Sequence, residues 1–153
     1  MPSRITRDEM LMQFATIAAQ RGTCRKAQVG AILAREGRVV SQGYVGSPPG
    51  FPHCTEYGCI GAGGHCMRTI HAEMNAILFA ARNGIRTENT ELYTTHSPCW
   101  VCAKAIVTAG IRRVVYGEGF GEEADQRLVS ETFTKADIRY ESHFVSPTPT
   151  KAN

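Results

Sequence analysis

At 153 residues, with 42% hydrophobic and 20% charged side chains, the chain has the composition of one globular domain, and residues 1–153 read as a single unit. No apolar run approaches the ~18 residues of a membrane span, and the opening Met1-Pro2-Ser3-Arg4-Ile5-Thr6-Arg7 lacks the apolar stretch of a secretory leader, so a cytoplasmic location is expected. The net charge of +3, with 13 Arg among the 17 basic residues and no basic block interleaved with aromatics, disfavours a polynucleotide groove and favours a small anionic ligand.

In chain order, residues 7–20 place Met10, Leu11, Phe14, Ile17 and Ala18 at helical spacing, which predicts an amphipathic helix. Residues 29–34 read as a buried strand, Glu36-Gly37-Arg38 as a turn, and residues 39–44 as its hairpin partner. A Gly/Pro/Cys-rich stretch over 45–68 follows, a length at which loops are functional or metal-tied. Then come a helix over about 71–83 closed by Gly84, a strand at 91–95, a helix over about 99–109 closed by Gly110, a strand at 113–116, a helix near 122–133 and a short strand at 138–140. The polar 146–153 segment, with Pro147 and Pro149, reads as a loose tail outside a core of about 7–141. Alternating strands and helices after residue 70 imply parallel pairing, and the opening hairpin is antiparallel. The expected fold is an α/β three-layer α/β/α sandwich around a mixed sheet of about five strands.

The chemistry lies in Thr69-Ile70-His71-Ala72-Glu73-Met74-Asn75 and, 28 residues after His71, in Pro98-Cys99-Trp100-Val101-Cys102. A catalytic zinc takes three protein ligands and leaves the fourth position for water. His71, Cys99 and Cys102 supply one nitrogen and two sulfurs, and Glu73 remains to move protons. The two cysteines share a helix face, at an N-terminus whose dipole favours thiolate. His71 and Glu73, two apart, would diverge in mid-helix, so they converge only if the helix begins at them. Two helix N-termini facing one metal satisfy every spacing. The competing arrangement is a closed structural zinc whose fourth ligand lies elsewhere, Glu73 being one option. The spacing speaks against it, because zinc knots pair one C-x-x-C with another or with H-x₃₋₅-H.

Four further cysteines, Cys24, Cys54, Cys59 and Cys66, surround the long loop, with His53 and His65 beside two of them. A second, structural zinc with a Cys₄ or Cys₃His ligand set, His53 or His65 substituting, would tie that loop down; free cysteines are the alternative. Arg25, Lys26 and Arg68 are candidates for a phosphate. His96 and Ser97 precede the second zinc helix and are candidates to line the pocket, with helix capping the other role open to Ser97. Tyr116, at a strand end, either faces the ligand or packs.

Over roughly residues 7–141 the chain resembles the deoxycytidylate (dCMP) deaminases of the cytidine deaminase superfamily. The resemblance rests on Gly43-Tyr44-Val45-Gly46-Ser47-Pro48-Pro49-Gly50, on Arg68–Ile77, on Leu92–Ile106 with its Pro98-Cys99-Trp100-Val101-Cys102, and on Ala109–Tyr116. It implies zinc-dependent hydrolysis of dCMP to dUMP and ammonia. Glu73 takes a proton from the zinc-bound water, passes it to N3, and protonates the amine that leaves C4 after attack of the hydroxide. It also implies a second zinc in some members, a homo-oligomer (often a hexamer), and regulation by the effectors dCTP and dTTP. One position departs from the pattern. The family loop reads Gly-Tyr-Asn-Gly, and Val45 cannot make the hydrogen bond of that Asn to sugar or nucleotide. Either a neighbour supplies the contact, or the site takes a different nucleotide such as a C5-modified dCMP. A polynucleotide deaminase and a non-catalytic zinc-stabilised binding module are the rival classes.

Overall fold

A computed structural model describes residues 3–61 and 66–143; His65 and the 146–153 tail lie outside them. The elements run α1 (Arg7–Ala19), β1 (Gly30–Arg35), β2 (Arg38–Tyr44), α2 (Cys54–Tyr57), α3 (Ala72–Arg82), β3 (Glu91–His96), α4 (Trp100–Thr108), β4 (Arg113–Glu118), α5 (Glu123–Lys135) and β5 (Arg139–Ser142). Every predicted helix and strand is present, and α2 is an addition inside the long loop. The five strands form one sheet in the order β2-β1-β3-β4-β5. β1 pairs antiparallel with both β2 and β3, while β3–β4 and β4–β5 are parallel.

Strand alternation divides the core into two layers. Ala31, Leu33, Leu92 and Val114 point to one side, where they pack with Ala72, Ala76 and Ala80 of α3, Ala103 and Ile106 of α4, and Val129 and Phe133 of α5. Ile32, Ala34, Tyr93 and Val115 point to the other, against Leu11, Met12, Ala15 and Ala18 of α1. Among the described residues no helix is long and apolar enough to cross a membrane.

The first helix corrects one expectation. Its start is a capping box: Thr6 Oγ1 accepts the Glu9 N–H at 3.1 Å, and the Glu9 carboxylate accepts the Thr6 N–H at 2.6 Å. Its buried stripe, however, runs through Leu11, Ala15 and Ala18, leaving Phe14 42% and Ile17 60% exposed. Small residues are needed there because a Cβ on Gly30 of β1 would lie 2.0 Å from the Ala15 carbonyl oxygen. The same device seats α3, since a Cβ on Gly43 of β2 would lie 2.3 Å from the Ala72 oxygen. Both helices therefore press against bare strand backbone.

Candidate active site

Two helices begin at the site, and each begins at a candidate metal ligand. His71 is the N-cap of α3 and Cys99 the N-cap of α4, both in extended backbone geometry and neither spending its side chain on a cap hydrogen bond. Cys102 follows on the first turn of α4, on the face it shares with Cys99. Glu73 is the second residue of α3, so it and His71 project together over an open helix end, as the two-residue spacing requires. Asn75 Nδ2 donates to the Tyr44 carbonyl at 2.6 Å and pins that first turn to β2.

The three candidate ligand atoms lie within 4.8 Å of one another. His71 Nδ1 is 3.4 Å from Cys99 Sγ and 3.5 Å from Cys102 Sγ. Zinc arms of about 2.3 Å to sulfur and about 2.05 Å to nitrogen, opened at the tetrahedral angle, give an N···S edge of about 3.6 Å. The observed edges match a common zinc ion. The residues present therefore fit the metal.

The electrostatics agree. The Cys102 hydrogen bond, with His71 beside it, draws the Cys99 thiol down to about 3, while Cys102 shifts upward under the Cys99 contact and burial. His71 is raised by its hydrogen bond to Cys99. The trio favours a thiolate at Cys99, and a dication would displace protons still held on the ligand atoms. Glu73 is 4% exposed, and burial pushes its carboxyl above the ordinary carboxylate range. Its partners include its own N–H and the Cys102 thiol. A desolvated carboxyl beside a metal site is suited to accepting and returning a proton.

His71, Glu73 and Cys99 line a cavity of about 610 Å³, its open mouth included. Lys26, Val45, His96 and Ser97 line it too, as the sequence suggested. Three other candidates are placed elsewhere. Tyr116 stacks on Tyr140 with centroids 4.6 Å apart. Arg25 and Arg68 turn to the long loop, Arg25 donating to the Thr55 carbonyl at 2.6 Å and Arg68 Nε to the Gly58 carbonyl at 3.0 Å. Ser97 is not the cap of α4. Its Oγ accepts the Phe120 N–H at 2.6 Å and holds the segment after β4 over the cavity. Phe120 itself, 41% exposed, lines the mouth, and sequence reasoning missed it because its tether to Ser97 spans 23 residues.

The loop cysteines form a second group: Cys54, Cys59 and Cys66 have sulfurs within 4.8 Å of one another, Cys54 and Cys66 being 3.3 Å apart. Burial and the neighbouring thiols push Cys54 up to about 12. Cys66, despite burial, is brought to about 6 by the Arg68 and Ile60 N–H groups. Among the described residues neither Cys24 nor His53 joins this group. Cys24 instead lines the main cavity and accepts the Lys26 N–H, because the turn before β1 carries it there. Among the described residues His53 Nδ1 is buried and has no hydrogen-bond partner.

Residues 5–118 match the model of the cytidine and deoxycytidylate deaminase zinc-binding region. ComE operon protein 2 of Bacillus subtilis (strain 168) is 44% identical over 138 residues, covering 90% of this chain and 71% of that protein. The deoxycytidylate deaminase of Enterobacteria phage T4 is 34% identical over 148 residues, covering 72% and 77%. The crystal structure of the dCMP deaminase from cyanophage S-TIM5, in complex with dCMP and dUMP, superposes with a TM-score of 0.78 at 27% identity, covering 92% of this chain and 99% of that one. The chain belongs to the cytidine and deoxycytidylate deaminase zinc-binding family.

Proposed function

We propose that this chain hydrolyses dCMP to dUMP and ammonia, with zinc held by His71, Cys99 and Cys102 and with Glu73 as the proton shuttle. The observation that carries this reading is the ligand trio with zinc-like edges, set beside a buried carboxyl at the wall of one cavity. Zinc, when bound, supplies a water acidified towards neutrality. Glu73 accepts a proton there as carboxylate and passes it to ring N3; once C4 carries the added hydroxyl, the carboxylate takes that hydroxyl's proton and delivers it to the amine, which leaves as ammonia while the C4 carbonyl forms. One buried group serves both relays because α3 starts at the site and fixes its reach. Incubation of the zinc-loaded chain with dCMP tests the reading, and an absence of ammonia and dUMP would overturn it.

Lys26 is the phosphate contact in this reading, supported by its place in the cavity wall while Arg25 and Arg68 are turned to the loop. Lys26→Ala should lower kcat/KM for dCMP by about 10- to 100-fold, the cost of a charged hydrogen bond, and leave turnover of deoxycytidine unaltered.

Val45 favours a second substrate. It is 6% exposed and forms an apolar wall with Ala27 and Val29, which suits a substituent on the base or a sugar lacking one polar contact. Competition between dCMP and 5-methyl-dCMP decides between them.

The Cys54, Cys59 and Cys66 group is assigned a second, structural zinc; His65, an expected fourth donor, lies outside the described residues. A homo-oligomer, hexameric by resemblance, is supported by Ile70, Met74, Trp100 and Val101, which line one groove beside the metal ligands with Leu78 exposed one turn beyond Met74. Sedimentation of the holoprotein measures the assembly. Addition of dCTP or dTTP to the dCMP assay tests the implied effectors.

A further inference from the structure

The excursion over 47–69 leaves and re-enters the fold through a narrow neck. Gly46 N–H donates to the Ile70 carbonyl at 3.2 Å, Ile70 N–H donates back at 2.9 Å, and His71 is the next residue. Within the excursion, α2 is only four residues long and cannot hold itself as an isolated helix. Two arginines hold it from outside. Arg68 reaches the Gly58 carbonyl and Arg25 the Thr55 carbonyl, both lying between Cys54 and Cys59 in sequence. Gly58 is the C-cap of α2 and Thr55 lies within its single turn, where carbonyls run out of intrahelical partners. The third sulfur, on Cys66, stands two residues before Arg68 and faces the same cavity as His71, Glu73 and Lys26.

From this arrangement we infer that Arg68, assisted by Arg25, is a positioning residue that couples the loop thiol site to the substrate cavity, so that metal at Cys54, Cys59 and Cys66 sets substrate affinity and leaves the chemical step alone. The inference rests on the reading of the loop as a metal site. The Arg68 Nε–H holds the carbonyl of Gly58, the C-cap that joins Cys54 of α2 to Cys59, and Cys66 is part of the cavity wall. Loss of that contact loosens the wall. His71, Glu73, Cys99 and Cys102 are untouched by it, because they stand on α3 and α4, which are packed on the sheet.

The test uses the full chain, stripped of metal and titrated with Cd²⁺ while thiolate-to-metal absorbance is followed, alongside steady-state kcat and KM of the zinc-loaded protein. The wild type should take two equivalents. Arg68→Ala should bind the second about tenfold more weakly, the loss typical of groups that orient metal ligands. Its KM should rise by a similar factor, with kcat within about twofold. Arg68→Lys, which can still donate to the Gly58 carbonyl, should recover much of both losses. A residue that merely held phosphate would raise KM without moving the Cd²⁺ titration, so that result overturns the coupling. A fall in kcat at constant KM overturns it as well. A wild type that takes a single equivalent removes the loop metal itself, which is a failure of the underlying reading and is distinguishable from a failure of the clamp.

Discussion

The two sulfur-bearing clusters are built on opposite terms. His71, Cys99 and Cys102 stand at the first turns of two helices whose alanines are buried against the sheet, so their spacing is set by the core before any cation arrives. Cys54, Cys59 and Cys66 stand on a one-turn helix and irregular chain, held by two arginine contacts and one another. A site preorganised by packing can keep an open coordination position without losing its shape. A site on a loop takes its shape from the ion it binds. The difference separates a cluster suited to chemistry from one suited to bracing.

Mutations break this contrast in order of severity. Glu73→Gln should reduce turnover by about 10²- to 10⁴-fold or more while both metal equivalents remain, as read by ammonia release and metal analysis of one sample. Cys59→Ser should remove one equivalent, raise KM several-fold and spare kcat. Its Tm should fall by about 2–4 °C for each kcal/mol lost in a domain of this size. Graded chelation sharpens the same point: KM should rise before kcat falls, since an ion held by a loop would leave before one held by packed helices.

A third polar cluster needs no ion and serves as the control. At the opposite end of β4, Arg113 meets Asp8 at 2.7 Å, Glu141 at 2.6 Å and Glu91 at 3.4 Å, and Tyr93 Oη donates to Asp8 at 2.8 Å. Arg113→Ala should cost about 3 kcal/mol in a urea melt, whether or not metal is present. The Arg113 hydrogen bond holds the Asp8 carboxyl below its ordinary value of 3.8. A carboxylate lowered in the fold stabilises above its unfolded pKa and loses that contribution as pH falls through its folded one. Asp8→Asn should therefore cost about 1 kcal/mol at neutral pH, after allowance for its partial exposure, and progressively less below pH 3.8.

The order of helices and strands was legible because apolar runs and glycine stops are local. The metal trio was legible because His71 and Cys99 announce themselves by spacing and flanking residues. Burial was less so: Phe14 and Ile17 have the side chains of a core, yet they stay exposed while bare strand backbone at Gly30 takes Ala15 and Ala19. The contacts of Arg25 and Arg68 were not legible because sequence gives charge without direction, and their carbonyl partners lie 30 and 10 residues away. Tyr116 found Tyr140 from the next strand, and Cys24 found the cavity instead of the thiol group. Each of these depends on tertiary placement, which no window along the chain contains.

The glycine at position 43 carries a last implication. Because α3 is docked by main chain against main chain, the depth of His71 and Glu73 owes little to the identity of the side chains around the ligand. Positions such as Ala27, Val29 and Val45, which line the cavity, can drift while the reacting centre keeps its dimensions. Selection can then rewrite the lock without disturbing the bolt.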